Sequence, residues 1–192
     1  MSALLTPEAR RDLYALLARL FAAEVDVPLY QALVQHESLG WIEETLRAQS
    51  PEAAVEALAV EFCRLFIGPQ PACVPYASAQ QGEALLGGRS RSRLETFLHE
   101  VRFAYDPVTT LLASPDHVAV TLAVLAYLSA SPEMAERVPE FMQAYVLPWV
   151  PAYCRQLGSA ASLQLYRTAA ALTLALLDEE GRNLTHPSSM SS

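Results

Sequence analysis

Two neighbouring residues able to carry protons, Asp116 and His117, stand at the entrance to the most apolar stretch of this 192-residue chain. Before them, the order Ser114-Pro115-Asp116 is that of an N-cap, a first helical residue and an acid matched to the helix dipole. The following run, residues 118–128, has almost no polar position, so a helix there is expected to be buried all round. As chemistry, a histidine base oriented by an aspartate would suit an enzyme acting on a small molecule. Adjacent helical residues lie about 100° apart around the axis, however, and do not face each other. No serine or cysteine occupies a nucleophile-elbow context. The plainer reading makes Asp116 a dipole cap and bonds His117 to a neighbouring loop. Either way, an ionisable pair sits at the mouth of a hydrophobic bundle.

Other reactive side chains offer less. His36, His99 and His186 are isolated, and no His-x-x-x-His or Glu-x-x-His pair presents a metal-binding face, so no metal and no cofactor are expected. Cys63, Cys73 and Cys154 are odd in number and widely spaced, which reads as free thiols in a reducing cytosol. The run Arg89-Ser90-Arg91-Ser92-Arg93 reads as a solvated helix start in an acidic protein rather than a nucleic-acid contact. Residues 68–79 hold Pro69, Pro71 and Pro75 and show no helical period. They either stiffen a connection or present Tyr76, beside Pro75, as a preorganised aromatic platform for a peptide.

Composition narrows the elements that must hold these residues. Apolar residues make up 52% and charged residues 18%, which excludes a disordered chain, while seven glycines are too few for a turn-rich β protein. At this length one domain can bury roughly 70% of its unfolded surface. The net charge is −8, and all 13 basic residues are arginine. Without lysine there is no P-loop and no Schiff-base lysine. The acidic balance disfavours nucleic acid and anionic lipid and favours cationic peptides. The N-terminal residues lack a secretory signal pattern, and no apolar run reaches the ~20 residues of a membrane span. A cytoplasmic location is expected.

Serine or threonine followed by proline, or the pattern Asp-x-Pro, punctuates the chain and marks helix starts at Thr6, Asp26, Ser50 and Ser131. Helical spacing places Leu13, Leu16, Leu17, Leu20 and Phe21 on one face, and Val55, Leu58, Phe62, Leu65 and Phe66 on another. A short helix is expected near residues 41–48, one from Gln80 broken at Gly87-Gly88, and one carrying Leu94, Phe97, Leu98, Val101 and Tyr105. Pro139 starts a fresh helix that Pro148 and Pro151 interrupt. A last helix over about 159–180 is capped by Gly181. These signals describe a single all-α domain, residues 1–181, of about eight or nine helices, followed by a polar, disordered tail at 182–192.

Four ordered segments resemble the TorD/DmsD/NarJ family of cytoplasmic redox-enzyme maturation chaperones. They are Glu61-Phe-Cys-Arg-Leu-Phe-Ile-Gly-Pro69, Val74-Pro-Tyr-Ala-Ser78, Pro115-Asp-His-Val-Ala-Val-Thr-Leu122 and Val146-Leu-Pro-Trp-Val-Pro151. The resemblance spans roughly residues 8–180. It implies a chaperone without catalytic turnover. Such a protein binds the twin-arginine signal peptide, the body, or both, of a molybdenum-cofactor oxidoreductase subunit until the cofactor is in place. The positions matching the family's binding elements are Pro75, Tyr76, Ser78, Pro115, Asp116 and His117, with Gln70, Tyr127 and Trp149 as further candidates. Gln70 and Tyr145 depart from the tryptophan and histidine found at those places in some members. A non-exported client subunit is the alternative. A monomer is expected, with a domain-swapped dimer conceivable through the long Pro-rich loop.

Overall fold

Four helices begin as the proline punctuation dictates. In a computed structural model describing residues 5–36, 40–83, 88–104 and 114–185, Thr6 accepts from the Ala9 N–H, Asp26 from Leu29, Ser50 from Ala53 and Ser131 from Met134. Each cap satisfies a donor that the first helical turn leaves open. The helices so started are α1 (Pro7–Ala22), α2 (Val27–Gln35), α4 (Pro51–Phe62) and α8 (Pro132–Ala135). Between and after them run α3 (Glu44–Arg47), α5 (Ala77–Gln80), α6 (Arg89–Glu100), α7 (Val118–Leu128), α9 (Val138–Phe141), α10 (Val150–Ala160) and α11 (Gln164–Thr185). Among the described residues there is no strand, only one isolated bridge pair. The all-α expectation holds.

As its sequence demands, α7 is the axis of the bundle: Val118, Leu122, Val124, Leu125 and Leu128 are wholly buried, and α1 lies along it. Phe21 of α1 meets Phe66 and Tyr153 edge-on, and Phe66 meets Tyr166, tying α1, the end of α4, α10 and α11 into one aromatic core. Two helices widen into π-turns. Cys63–Ile67 continues α4 and Met142–Val146 continues α9, each closed by a bond five residues back, Gly68 N–H to Cys63 O at 2.8 Å and Leu147 N–H to Met142 O at 2.9 Å.

The structure departs from the sequence reading at several helix ends. The short helix expected from Gln80 instead spans Ala77–Gln80 and ends there, overlapping the Pro-rich segment. Ser114, Pro115 and Asp116 do not open α7; the helix starts at Val118 with His117 as N-cap. The backbone groups of Asp116 and Val118 bond the Pro-rich loop, so the residues before Val118 are drawn out of helical geometry. The interruption expected at Pro148 is present, between Val146 and Val150, and the last helix starts at Gln164 instead of near residue 159. Pro151 sits in the first turn of α10, where a missing N–H costs nothing. Gly181 lies inside α11, which runs on to Thr185 rather than ending there. The tail beyond Thr185, the break at Gly87, Tyr105 and the loop at 106–113 lie outside the described residues.

Candidate functional site

Asp116 and the Pro-aromatic loop, 38 residues apart, are joined by a reciprocal set of helix caps. The Val118 N–H, first of α7, donates to Pro75 O at 2.8 Å, and the Ala77 N–H, first of α5, donates to Asp116 O at 2.9 Å. These two bonds flank an antiparallel bridge between Tyr76 and His117, whose rings meet edge-on at 5.0 Å. Tyr76 is the N-cap of α5 yet supplies no side-chain acceptor. Asp116 fills that role from across the bridge, its Oδ2 accepting the Ser78 N–H at 3.0 Å. Its Oδ1 accepts the Ser114 hydroxyl. Each helix start thus supplies the acceptors that the other lacks.

Burial sorts the candidate residues. Asp116 is 1% exposed, His117 5%, and Ser78, Pro75 and Pro115 are buried with them. The Asp116 carboxylate accepts from both Ser78 and Ser114. His117 Nδ1 accepts the Ala119 N–H at 3.1 Å, which places the ring proton of the neutral form on Nε2. Burial, only partly offset by the Asp116 charge, lowers the His117 pKa to about 3. Asp116 and His117 share no hydrogen bond; their partners are other residues. Tyr76 is half-buried, its hydroxyl pushed up by burial and secondarily by Asp116. It presents its remaining surface on a fixed backbone.

The further candidates separate. Trp149 is buried with its Nε1–H on Tyr145 O at 2.8 Å. Tyr127 is half-buried, its hydroxyl donating to Val101 O at 3.0 Å, and its ring lies against Phe103. Gln70 is exposed at the tip of the Pro-rich loop. Beside the bridge lies a pocket of ≈ 70 Å³ bordered by Ala77, Gln81, Arg93, Asp116, Tyr145 and Trp149. The Arg93 guanidinium stands 5.7 Å over the Tyr145 ring on its wall. This recess is small and of mixed polarity, and the Tyr76 and Asp116 segments meet beside it.

Sequence reasoning quoted Glu61 and Arg64 without giving them a task. Glu61, buried at the end of α4, accepts the Ser162 N–H at 2.6 Å and its hydroxyl at 2.8 Å, at the corner between α10 and α11. Arg64 holds the same carboxylate through two bonds of 2.7 and 2.8 Å and donates to Ala160 O at 2.7 Å. Burial would raise the Glu61 pKa, but the bonds from Arg64 and Ser162 outweigh it and bring it to about 2. The Glu-x-x-Arg spacing was the available signal. Nearby, Gln80 donates to Val74 O at 2.9 Å and Gln156 to Ala72 O at 3.0 Å, clipping the Pro-rich loop to the bundle.

Comparison with known proteins accords with this architecture. Residues 31–155 match the family described as nitrate reductase delta subunit. The chain is similar to the "Chaperone protein TorD" of Shewanella sp. (strain ANA-3), 28% identical, with 92% of this chain and 94% of the relative covered. It is similarly related to "Chaperone protein TorD" of Vibrio cholerae (El Tor Inaba N16961), at 27% identity over 90% of each chain. A crystal structure of a redox enzyme maturation protein from Archaeoglobus fulgidus shares the fold, with a TM-score of 0.55 at 20% identity over 93% of this chain and 99% of that one.

Proposed function

Because the chain belongs to the nitrate reductase delta subunit family, we propose that it is a maturation chaperone for a molybdenum-cofactor oxidoreductase subunit. It holds the body of that subunit, its twin-arginine leader, or both, until the cofactor has been inserted. It acts in the cytoplasm, as a monomer and without turnover. The observation that carries this reading is the likeness, over nine-tenths of both chains, to proteins named as chaperones.

The site geometry supports a binding rather than a catalytic role. Asp116 and His117 spend their polar atoms on helix starts, and His117 stays neutral at physiological pH. Pro75, Ser78, Pro115, Asp116 and His117 form the frame; Tyr76 is what that frame presents to a client, with Gln70 exposed earlier in the same loop. A rigid aromatic platform loses little entropy when covered. No helix among the described residues is long and apolar enough to cross a membrane.

Titration calorimetry of the protein with a leader peptide bearing paired arginines tests leader recognition, against Lys-Lys and scrambled peptides. Equal affinity for all three, across several candidate leaders, would remove leader recognition. The engagement of Asp116 within the frame favours a second reading, in which the client body is the main ligand. Co-purification with subunits lacking a leader separates the two.

A further inference from the structure

The α4 helix and its π-turn carry an exposed stripe that the bundle does not use. Val60 is 66% exposed and Ile67 47%, and Cys63 between them is exposed as well. Glu52 and Glu56, also exposed, continue the same face toward the start of α4. Positions 52, 56, 60 and 63 follow helical spacing, and the wider π-turn brings Ile67 back onto the line. The stripe is about 22 Å long at the helical rise. It is acidic at one end and apolar at the other. Neither glutamate makes an ion pair among the described residues, whereas the adjacent Arg64 is held by Glu61.

We propose that this stripe is the seat of the client's leader: a segment with two adjacent arginines, followed by an apolar helix, lying parallel to α4. The arginines face Glu52 and Glu56, and the apolar turns cover Val60, Cys63 and Ile67. This rests on the maturation-chaperone reading and specifies which face the leader takes. Charge complementarity selects the occupant: the acidic-then-apolar order along α4 matches the cationic-then-apolar order of such a leader. The parallel direction has a consequence. It brings the leader's C-terminal end to Gly68, where the Pro-rich loop folds back with Ala72 N–H on Arg64 O at 3.2 Å and Cys73 N–H on Leu65 O at 2.9 Å. That loop leads to Tyr76, so the client body following the leader would arrive at the aromatic platform.

The test uses the full chain and calorimetry with an Arg-Arg leader peptide and its Gln-Gln counterpart. Glu52→Gln with Glu56→Gln should weaken the Arg-Arg peptide about three- to tenfold and leave the Gln-Gln peptide unaffected. Val60→Gln with Ile67→Gln should weaken both peptides about tenfold. Glu133→Gln with Glu136→Gln removes the same charge from another exposed surface and should leave affinity unchanged. Bound peptide should also slow maleimide labelling of Cys63. If the wild-type protein binds the Arg-Arg peptide but both stripe variants bind it equally well, the seat is elsewhere and the chaperone reading stands. If the wild type binds no leader at all, leader recognition itself fails. A stripe variant that alters only sedimentation mass would show a face for a second copy and overturn the proposal.

Discussion

Asp116 gains its importance from where its oxygens point. Its carboxylate and carbonyl together receive the first two N–H groups of α5, which no side chain of the Pro-rich loop can satisfy. Removing the carboxylate leaves the buried Ser78 N–H without its acceptor, a loss of about 1–3 kcal/mol. Asp116→Ala should therefore lower the urea midpoint by that equivalent, whereas Asp116→Asn, which keeps an acceptor for Ser78, should lose less. Equal midpoints for Ala and wild type would show that the carboxylate does not hold the loop. His117 makes a second case, in acid. Its folded pKa, about 3, lies below the ordinary value of 6.5, so the unfolded chain takes up a proton that the folded one refuses. The stability tied to a neutral His117 is fully present above pH 6.5 and falls away as pH drops from there toward 3. Glu61 adds to the loss below about pH 4.5, its ordinary value, since its folded pKa is about 2. His117→Asn keeps an N-cap acceptor for Ala119 but cannot titrate. Its denaturation midpoint should vary less than wild type between pH 6.5 and 5, a window that Glu61 does not reach.

Among the elements, those whose boundaries depend on local chemistry were readable from sequence and those set by distant partners were not. Thr6, Asp26, Ser50 and Ser131 cap their own helices, so residue type and a following proline were enough. The apolar run 118–128 disclosed a buried helix because no face of it could meet water. Its start was misplaced because Pro75 and Ala77, far off in the chain, take the backbone groups around His117. The last helix, expected from about residue 159, starts at Gln164 for the same reason: Glu61 of α4 and Glu43, the N-cap of α3, accept the Ser162 and Gln164 N–H groups. The Pro75–Ser78 and Pro115–His117 candidates do come together, but burial, which decides frame from surface, is a property of the packed bundle. Glu61 is the sharpest instance. Glu61→Ala would strip the acceptor from the Ser162 N–H and hydroxyl and release Arg64, costing about 1–3 kcal/mol. Hydrogen exchange should quicken first at residues 161–164. Unchanged exchange there would mean that the corner is held by packing alone.

At the scale of the molecule, the three thiols report whether the Pro-rich loop belongs to the cooperative core or opens by itself. Cys63 is exposed, whereas Cys73 and Cys154 are wholly buried. Burial pushes the Cys154 thiol up to about 12 and raises Cys73 as well, so neither offers thiolate in the folded state. Cys154 lies in α10, wholly buried where that helix packs on α11, so it can react only when the helix pair separates. Cys73 lies in the loop, but its N–H is bonded to Leu65, and its neighbours Ala72 and Val74 are clipped by Gln156 and Gln80. A loop fixed at so many points should open only with the bundle. An aromatic disulfide reagent should therefore label one thiol rapidly, and Cys73 and Cys154 should follow together, at the rate of global unfolding, as denaturant is raised. Alkylation mapped by mass spectrometry distinguishes the alternatives. If Cys73 reacts well ahead of Cys154, the loop opens locally and Tyr76 is not the fixed platform that client binding calls on.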